Sequence, residues 1–129
     1  TLFLIAETGN YVAVNTGFCG FCIPATGGHG FYVEAFSEGN PLTPQPVFIP
    51  RDPAVTDVYL RLAYRPAEGS VTAYYATAPD DWQEATTVSG VPAFTAVALG
   101  AANIPAGGSG EDLVARFDYF ELSDLEDGP

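Results

Sequence analysis

The stretch that decides the fold is residues 57–77, which read DVYLRLAYR, then PAEG, then SVTAYYAT. Apolar residues occupy every second position of the first segment, and the last segment alternates in the same way. A period of two is typical of a β-strand with one buried face. The Pro and Gly between the segments favour a tight loop. The stretch therefore predicts an antiparallel β-hairpin.

The register of this hairpin determines which side chains share a face. If Arg65 pairs with Ser70, Leu62 lies opposite Ala73, and this face points towards a core. The other face carries three neighbouring side chains that are available to a ligand: Tyr59, Arg61 and Tyr74.

The composition of the whole chain favours a nearly all-β protein. The chain has 129 residues and is 47% apolar, which is enough for a sizeable core. With 14 Gly and 11 Pro, it is interrupted every few residues and leaves little room for helices. We expect one β-sandwich domain over residues 1–122, followed by an acidic tail over residues 123–129.

The charge balance argues against two classes of partner. The chain has 16 acidic residues and four Arg or Lys, for a formal net charge of −12. Such a surface repels nucleic-acid phosphate and anionic lipid. No apolar run in the sequence approaches the roughly 18 residues of a membrane span. We therefore expect no nucleic acid and no membrane insertion, and the Met-free start at Thr1 suggests a processed product or a fragment.

Other strand-like runs are separated by turn signals along the chain. Apolar or alternating runs predict strands at residues 2–6, 11–15, 31–36, 85–89, 93–99 and 113–122. Gly-rich and Pro-rich stretches predict loops at residues 16–30, 37–53 and 100–110, with an edge pairing at 47–49. Short strands at this spacing predict an antiparallel β-sandwich or jelly roll.

Three stretches together resemble a known family of β-sandwich domains. They are VYLRLAYRPAEGSVTAYYAT at residues 58–77, PDDW at 79–82 and ARFDYFEL at 115–122. They resemble the concanavalin-A-like jelly-roll domains, in particular the laminin-G-like modules and the β-xylosidase C-terminal type. LFLIAETGNYVAV at residues 2–14 is similar to a strand pair of that family. Under this resemblance the chain lacks the family's N-terminal strands.

The resemblance implies a class of function without settling it. Such domains are typically carbohydrate-binding, adhesive or accessory modules, often without catalytic residues, and some hold a structural calcium ion. Loop acids of the kind that ligate calcium are Asp80, Asp81, Glu111 and Asp112, although solvated loop acids are the ordinary interpretation. We expect no cofactor, with structural calcium as an open alternative.

Cys19 and Cys22 form a C-G-F-C motif with three possible roles. A redox thiol is favoured by a helix N-terminus, and the Pro and Gly residues after Cys22 do not sustain a helix. Zinc would take both sulfurs and His29 but would still lack a fourth ligand. A local disulfide is favoured, and disulfides are typical of exported proteins. We therefore predict an extracellular protein, secreted or at the cell surface.

Catalysis by a pair of carboxylates is not predicted. The concanavalin-A-like fold also hosts glycosidases, which need two acids flanking the scissile bond. Asp118 and Glu121 match the second half of the motif E-x-D-x-x-E, but Arg116 stands where the first Glu belongs. We therefore expect that the chain is not an enzyme.

The most useful functional signal is aromatic, because flat rings stack on the apolar C–H faces of sugars. Tyr59, Arg61 and Tyr74 share the outer face of the predicted hairpin, and Trp82 follows it as the only Trp. We predict that these four residues bind carbohydrate, while core packing is the competing interpretation of each ring. The alternative function is a structural subunit of an extracellular fibre or surface layer, which assembles with identical subunits through open sheet edges.

Overall fold

The computed structural model describes residues 1–7, 9–20, 22, 28–43, 47–101 and 115–124. The chain divides into two compact units, Thr1–Leu99 and Gly100–Pro129. All the strands of the described residues lie in the first unit. The predicted domain boundary after residue 122 stays a prediction.

The first unit is built from nine short β-strands. They are β1 (Leu2–Glu7), β2 (Asn10–Cys19), β3 (Gly28–Ser37), β4 (Asn40–Pro41), β5 (Val47–Pro50), β6 (Tyr59–Arg65), β7 (Ser70–Ala76), β8 (Gln83–Ser89) and β9 (Ala96–Leu99). Among the described residues, none forms a helix of the length and apolarity needed to cross a membrane.

The strands form two antiparallel sheets, as the sequence predicts. Sheet A has the order β4-β3-β2-β1-β9, and β5 pairs with the same side of β3 as β4 does. Sheet B has the order β6-β7-β8. The fold class is therefore an all-β antiparallel sandwich. The jelly-roll strand order stays a prediction, because most neighbouring strands in the described sheets are also consecutive in the chain.

The two sheets pack face to face around one core. Its buried side chains come from both sheets and are Val12, Val14, Val33, Ala35, Val71, Ala73 and Val88. Because side chains alternate along a strand, each of these residues is flanked by neighbours that point away from the core. Full burial of a valine side chain stabilises the fold by about 1.5–3 kcal/mol. Phe31 of β3 stacks on Tyr75 of β7 with ring centroids 4.6 Å apart, and this contact joins the sheets directly.

The β6–β7 hairpin has the predicted register. Arg65 pairs with Ser70, and Leu62 pairs with Ala73. Gly69 closes the loop with a φ of 58°, a conformation that glycine adopts without the steric cost that other residues incur. The core-facing and outward-facing rows of this hairpin are therefore those expected from the sequence.

The β2–β3 hairpin is longer than the sequence predicts. Residues 16–19 and 28–30 belong to strands, so the predicted loop at residues 16–30 is wrong at both ends. Gly17 pairs with Gly30 and Cys19 pairs with Gly28. The backbone pairing continues through Gly17 and Gly30, which lie opposite each other. The glycine content of this stretch does not reveal that pairing.

The predicted strand at residues 113–122 is also wrong where the structure describes it. Residues 115–122 form no strand and are exposed, with Tyr119 65% and Leu122 77% accessible. Leu113 and Val114 lie outside the described residues. Alternation is necessary for a half-buried strand, but a strand also requires a neighbour to complete its hydrogen bonds.

Gly30 of β3 pairs with Pro50 of β5, and the two strands lie close together at this position. A Cβ atom on this residue would overlap the carbonyl oxygen of Ile49 and would lie 2.6 Å from the Phe48 ring. We expect Gly30→Ala to lower the free energy of unfolding by about 1–3 kcal/mol, because its neighbours must shift. Denaturant-induced unfolding measures this change.

The matched control for this substitution is Gly20→Ala. The nearest atom to a Cβ on Gly20 is 3.7 Å away, an ordinary contact distance. Its free energy of unfolding should change by less than about 0.5 kcal/mol. Equal effects of the two substitutions would contradict the close approach of β5 to Gly30.

Candidate functional site

The outer face of sheet B holds the four residues predicted to bind carbohydrate. The hairpin register places Tyr59, Arg61 and Tyr74 on this face, with Arg61 directly opposite Tyr74. Trp82 lies immediately before β8, which pairs with β7. We call these four residues the aromatic platform.

Arg61 connects the rings of the aromatic platform. Its guanidinium carbon lies 5.5 Å from the centroid of the Tyr74 ring and 5.8 Å from that of Trp82. Trp82 in turn contacts Tyr59 edge to face, with centroids 6.4 Å apart. Arg61 is exposed, while the three rings are half-buried. The three rings are therefore packed against neighbours and still partly exposed to solvent.

A row of polar side chains runs beside the aromatic platform on the same sheet. Arg65 Nη1 donates to Thr72 Oγ1 at 3.3 Å, and the hydroxyls of Thr72 and Thr87 lie 2.9 Å apart. Thr87 also donates to Glu84 Oε1 at 3.3 Å. Thr87 and Glu84 are exposed, whereas Thr72 is buried beneath them. We call the exposed pair, Thr87 and Glu84, the polar row.

The polar row was missed in the sequence because it depends on β8. Pairing of β8 with β7 puts Thr87 opposite Thr72. Between Ala73 and Tyr74 the register shifts by one residue of β8, so that Glu84, and not residue 85, lies opposite Tyr74. The predicted strand at residues 85–89 was the available signal, but sequence does not reveal such a bulge. The bulge brings a carboxylate next to the aromatic platform.

The aromatic platform also has a structural role. Ala63 and Ala76 point to the same outer face, yet they are only 3% and 1% exposed. Their larger neighbours therefore cover them. This supports in part the interpretation of the rings as packing residues, because they cover the sheet and are themselves only half-buried.

The cysteine motif is a disulfide, as predicted. Cys19 and Cys22 are bonded, with Cα atoms 5.5 Å apart. The zinc alternative is contradicted, because zinc binds cysteine as a thiolate and the sulfurs of Cys19 and Cys22 are bonded to each other. His29 is exposed and meets the Phe18 ring edge-on at 5.3 Å. The disulfide thus closes a short local loop immediately after β2.

The other predicted acidic positions do not form a site in the described parts of the chain. Asp80 and Asp81 are exposed in the turn before Trp82, and Glu111 and Asp112 lie outside the described residues. No three His, Cys, Asp or Glu residues that are described lie close enough to hold a metal ion. Arg116, Asp118 and Glu121 are exposed on a segment that is not a strand, so they do not share a strand face.

A half-buried carboxylate, that of Glu34, lies on the outer face of sheet A. Glu34 accepts a hydrogen bond from Asn15 Nδ2 at 3.4 Å. Burial raises the pKa of Glu34, and the bond from Asn15 offsets this only in part. Burial, followed by the charge of Glu34, raises the pKa of both Tyr11 and Tyr32. Sequence reasoning missed this cluster, although the alternation in FYVEAF puts Tyr32 and Glu34 on one face.

The carboxylate of Glu34 should make stability depend on pH. A pKa raised above the ordinary value of 4.5 means that folding disfavours the ionised form. The folded state therefore loses stability as the pH rises from 4.5 towards the raised pKa. We expect Glu34→Gln to raise the urea midpoint at pH 7 and to have little effect near pH 3.5, where both states of the wild type are protonated.

Glu121→Gln serves as the control, because it removes the same charge from an exposed position. Its effect on the urea midpoint should be small at both pH values. A Glu34→Gln variant that is less stable than the wild type at pH 7, or equally stabilised at both pH values, would show that Glu34 is well accommodated when ionised.

No protein-family model, no curated protein and no solved structure matches the chain. The resemblance to concanavalin-A-like domains accordingly remains a prediction from its short motifs.

Proposed function

We propose that the protein is an extracellular, non-catalytic β-sandwich module that binds carbohydrate on the outer face of sheet B. The ligand contacts the aromatic platform of Tyr59, Arg61, Tyr74 and Trp82. The polar row supplies hydroxyl and carboxylate groups for the sugar hydroxyls. Membership of the concanavalin-A-like family is part of this proposal and rests on the stretches at residues 58–77 and 79–82, because residues 115–122 do not form the expected strand.

The observation that carries the proposal is the position of Arg61 against two rings. Its distances of 5.5 Å to Tyr74 and 5.8 Å to Trp82 tie together residues from β6, β7 and the segment before β8. Sites for small ligands combine apolar surface with a few convergent polar groups. Here the apolar surface is aromatic, and the polar groups are the hydroxyl of Thr87 and the carboxylate of Glu84, both exposed.

The disulfide supports the proposed location. Disulfides such as Cys19–Cys22 form and persist in oxidising environments, of which the cell exterior is one. The excess of acidic residues gives a net charge of −12, which favours solubility. An extracellular setting accounts for both features.

A polysaccharide pull-down followed by a glycan array tests the proposal. We expect Tyr74→Ala to weaken binding by roughly tenfold, about 1.4 kcal/mol, because the sugar loses a stacking surface. Tyr74→Phe should retain most of the affinity, since the ring remains. Unchanged binding by Tyr74→Ala, or no glycan bound by the wild type, would refute the proposed site.

Phe18→Ala provides the matched control. Phe18 is 59% exposed and lies on the β2–β3 hairpin, away from sheet B in the strand order. Its removal also deletes an exposed aromatic ring, but glycan binding should not change. A loss equal to that of Tyr74→Ala would mean that exposed aromatic surface in general, and not the aromatic platform, captures the glycan.

The second candidate is a structural subunit that assembles through sheet edges. It is favoured by the position of β6 and β8, which form the two edges of sheet B among the described strands. Edge strands present unpaired backbone groups that a neighbouring chain can pair with. Light scattering at high concentration distinguishes the two functions, because a monomer without fibres under the microscope argues against assembly.

A further inference from the structure

Among the described residues, Arg61 has ring contacts and no hydrogen-bond acceptor. A guanidinium carries five N–H donors in a fixed planar fork. Arg61 is exposed, and its contacts with described residues are those with the Tyr74 and Trp82 rings, at 5.5 Å and 5.8 Å. Its donors therefore face solvent from a position that two rings define.

The other arginines of the sandwich unit are used differently. Arg65 donates to Thr72 Oγ1 at 3.3 Å. Arg51 donates through Nη1 to the carbonyl oxygens of Asp52 and Val55. Both guanidinium groups thus support their own surroundings, whereas that of Arg61 remains available to a ligand.

The charges near Arg61 are mixed in sign. The outward positions of the paired strands in sheet B carry Arg61, Arg65 and one acid, Glu84. Glu68 accepts a hydrogen bond from Ser70 at 3.5 Å, and two exposed acids, Asp80 and Asp81, directly precede Trp82. Electrostatic interactions are screened over about 8 Å at physiological ionic strength, so a direct contact with the guanidinium outweighs more distant charges. The donors of Arg61, and not the local net charge, therefore favour a single anionic group.

On the basis of the proposed function, we propose that Arg61 recognises a carboxylate on the bound sugar. A guanidinium binds a carboxylate through two parallel N–H···O bonds, which fix its orientation as well as its charge. The adjacent rings of Tyr74 and Trp82 provide the surface on which the sugar ring lies. The ligand class is a glycan with isolated uronate or sialate residues. A dense polyanion is disfavoured, because the net charge of −12 repels it.

Two methyl glycosides that differ only at C6 test the role of Arg61. Methyl β-D-glucuronide has a carboxylate there, and methyl β-D-glucoside has a CH₂OH group. Titration of the wild type, followed by NMR, should give a dissociation constant about 2- to 5-fold lower for the glucuronide, as expected of one exposed ion pair. Arg61→Gln should reduce this ratio to about one.

Arg65→Gln is the matched control for charge. It removes the same charge from the same sheet face, but Arg65 already donates to Thr72. The variant should keep the preference for the glucuronide. A preference lost equally in Arg61→Gln and Arg65→Gln would show that general attraction, and not a specific contact, distinguishes the two sugars, and would overturn the inference.

A second pair of ligands distinguishes the two sources of carboxylate. The methyl glycoside of N-acetylneuraminic acid and its methyl ester differ in one charge at the same ring. A preference for the acid over the ester that exceeds the glucuronide preference identifies sialate as the source, and the reverse identifies uronate. Both results support the role of Arg61 if the preference disappears in Arg61→Gln.

The outcomes separate this inference from the proposed function. If the neutral and acidic members of each pair bind equally and Tyr74→Ala weakens both, sugar binding stands and the inference about Arg61 fails. If no ligand of either pair binds and no glycan is captured on the array, both fail. The Gln variant of Arg61 is expected to fold, because the substitution lies at an exposed position.

Discussion

The alternation of side chains along β7 is the constraint on which both the core and the candidate site depend. Tyr75 points inward and stacks on Phe31 of the opposite sheet at 4.6 Å. Its neighbour Tyr74 points outward and meets Arg61 at 5.5 Å. A slip of one residue in the pairing would exchange these two positions. The register that buries the core is therefore the register that builds the aromatic platform.

The outer faces of the two sheets differ in their chemistry. Sheet A carries the half-buried Glu34. Burial raises the pKa of its carboxyl, and the hydrogen bond from Asn15 offsets only part of this increase. Sheet B carries exposed polar groups on its outer face, among them Arg61, Glu84 and Thr87. A desolvated carboxylate lowers stability at neutral pH, whereas solvated polar groups cost little. The face of sheet B is thus the one that can meet a hydrated ligand with little loss.

Much of sheet B could be predicted from the sequence, because its information is local. A strong period of two, a short loop and one assumed pair, Arg65 with Ser70, were sufficient to place Tyr59, Arg61 and Tyr74 together. The disulfide was predictable for the same reason, since Cys19 and Cys22 are only three positions apart.

The remaining features depend on contacts that the sequence does not display. The bulge that brings Glu84 opposite Tyr74 arises between two strands, and neither strand contains a signal for it. The continuation of β2 and β3 through Gly17 and Gly30 depends on two distant glycines facing each other. The error at residues 115–122 has the opposite origin, because a strong alternating pattern there does not form a strand.

The placement of Trp82 has a practical consequence. It is the only indole of the chain, and it contacts Arg61 and Tyr59 on the outer surface of sheet B. The aromatic side chains that join the two sheets are a phenylalanine and a tyrosine, Phe31 and Tyr75. Fluorescence excited selectively at the indole therefore originates from this surface alone. The emission acts as an intrinsic optical reporter of local solvent and ring contacts, without an added label.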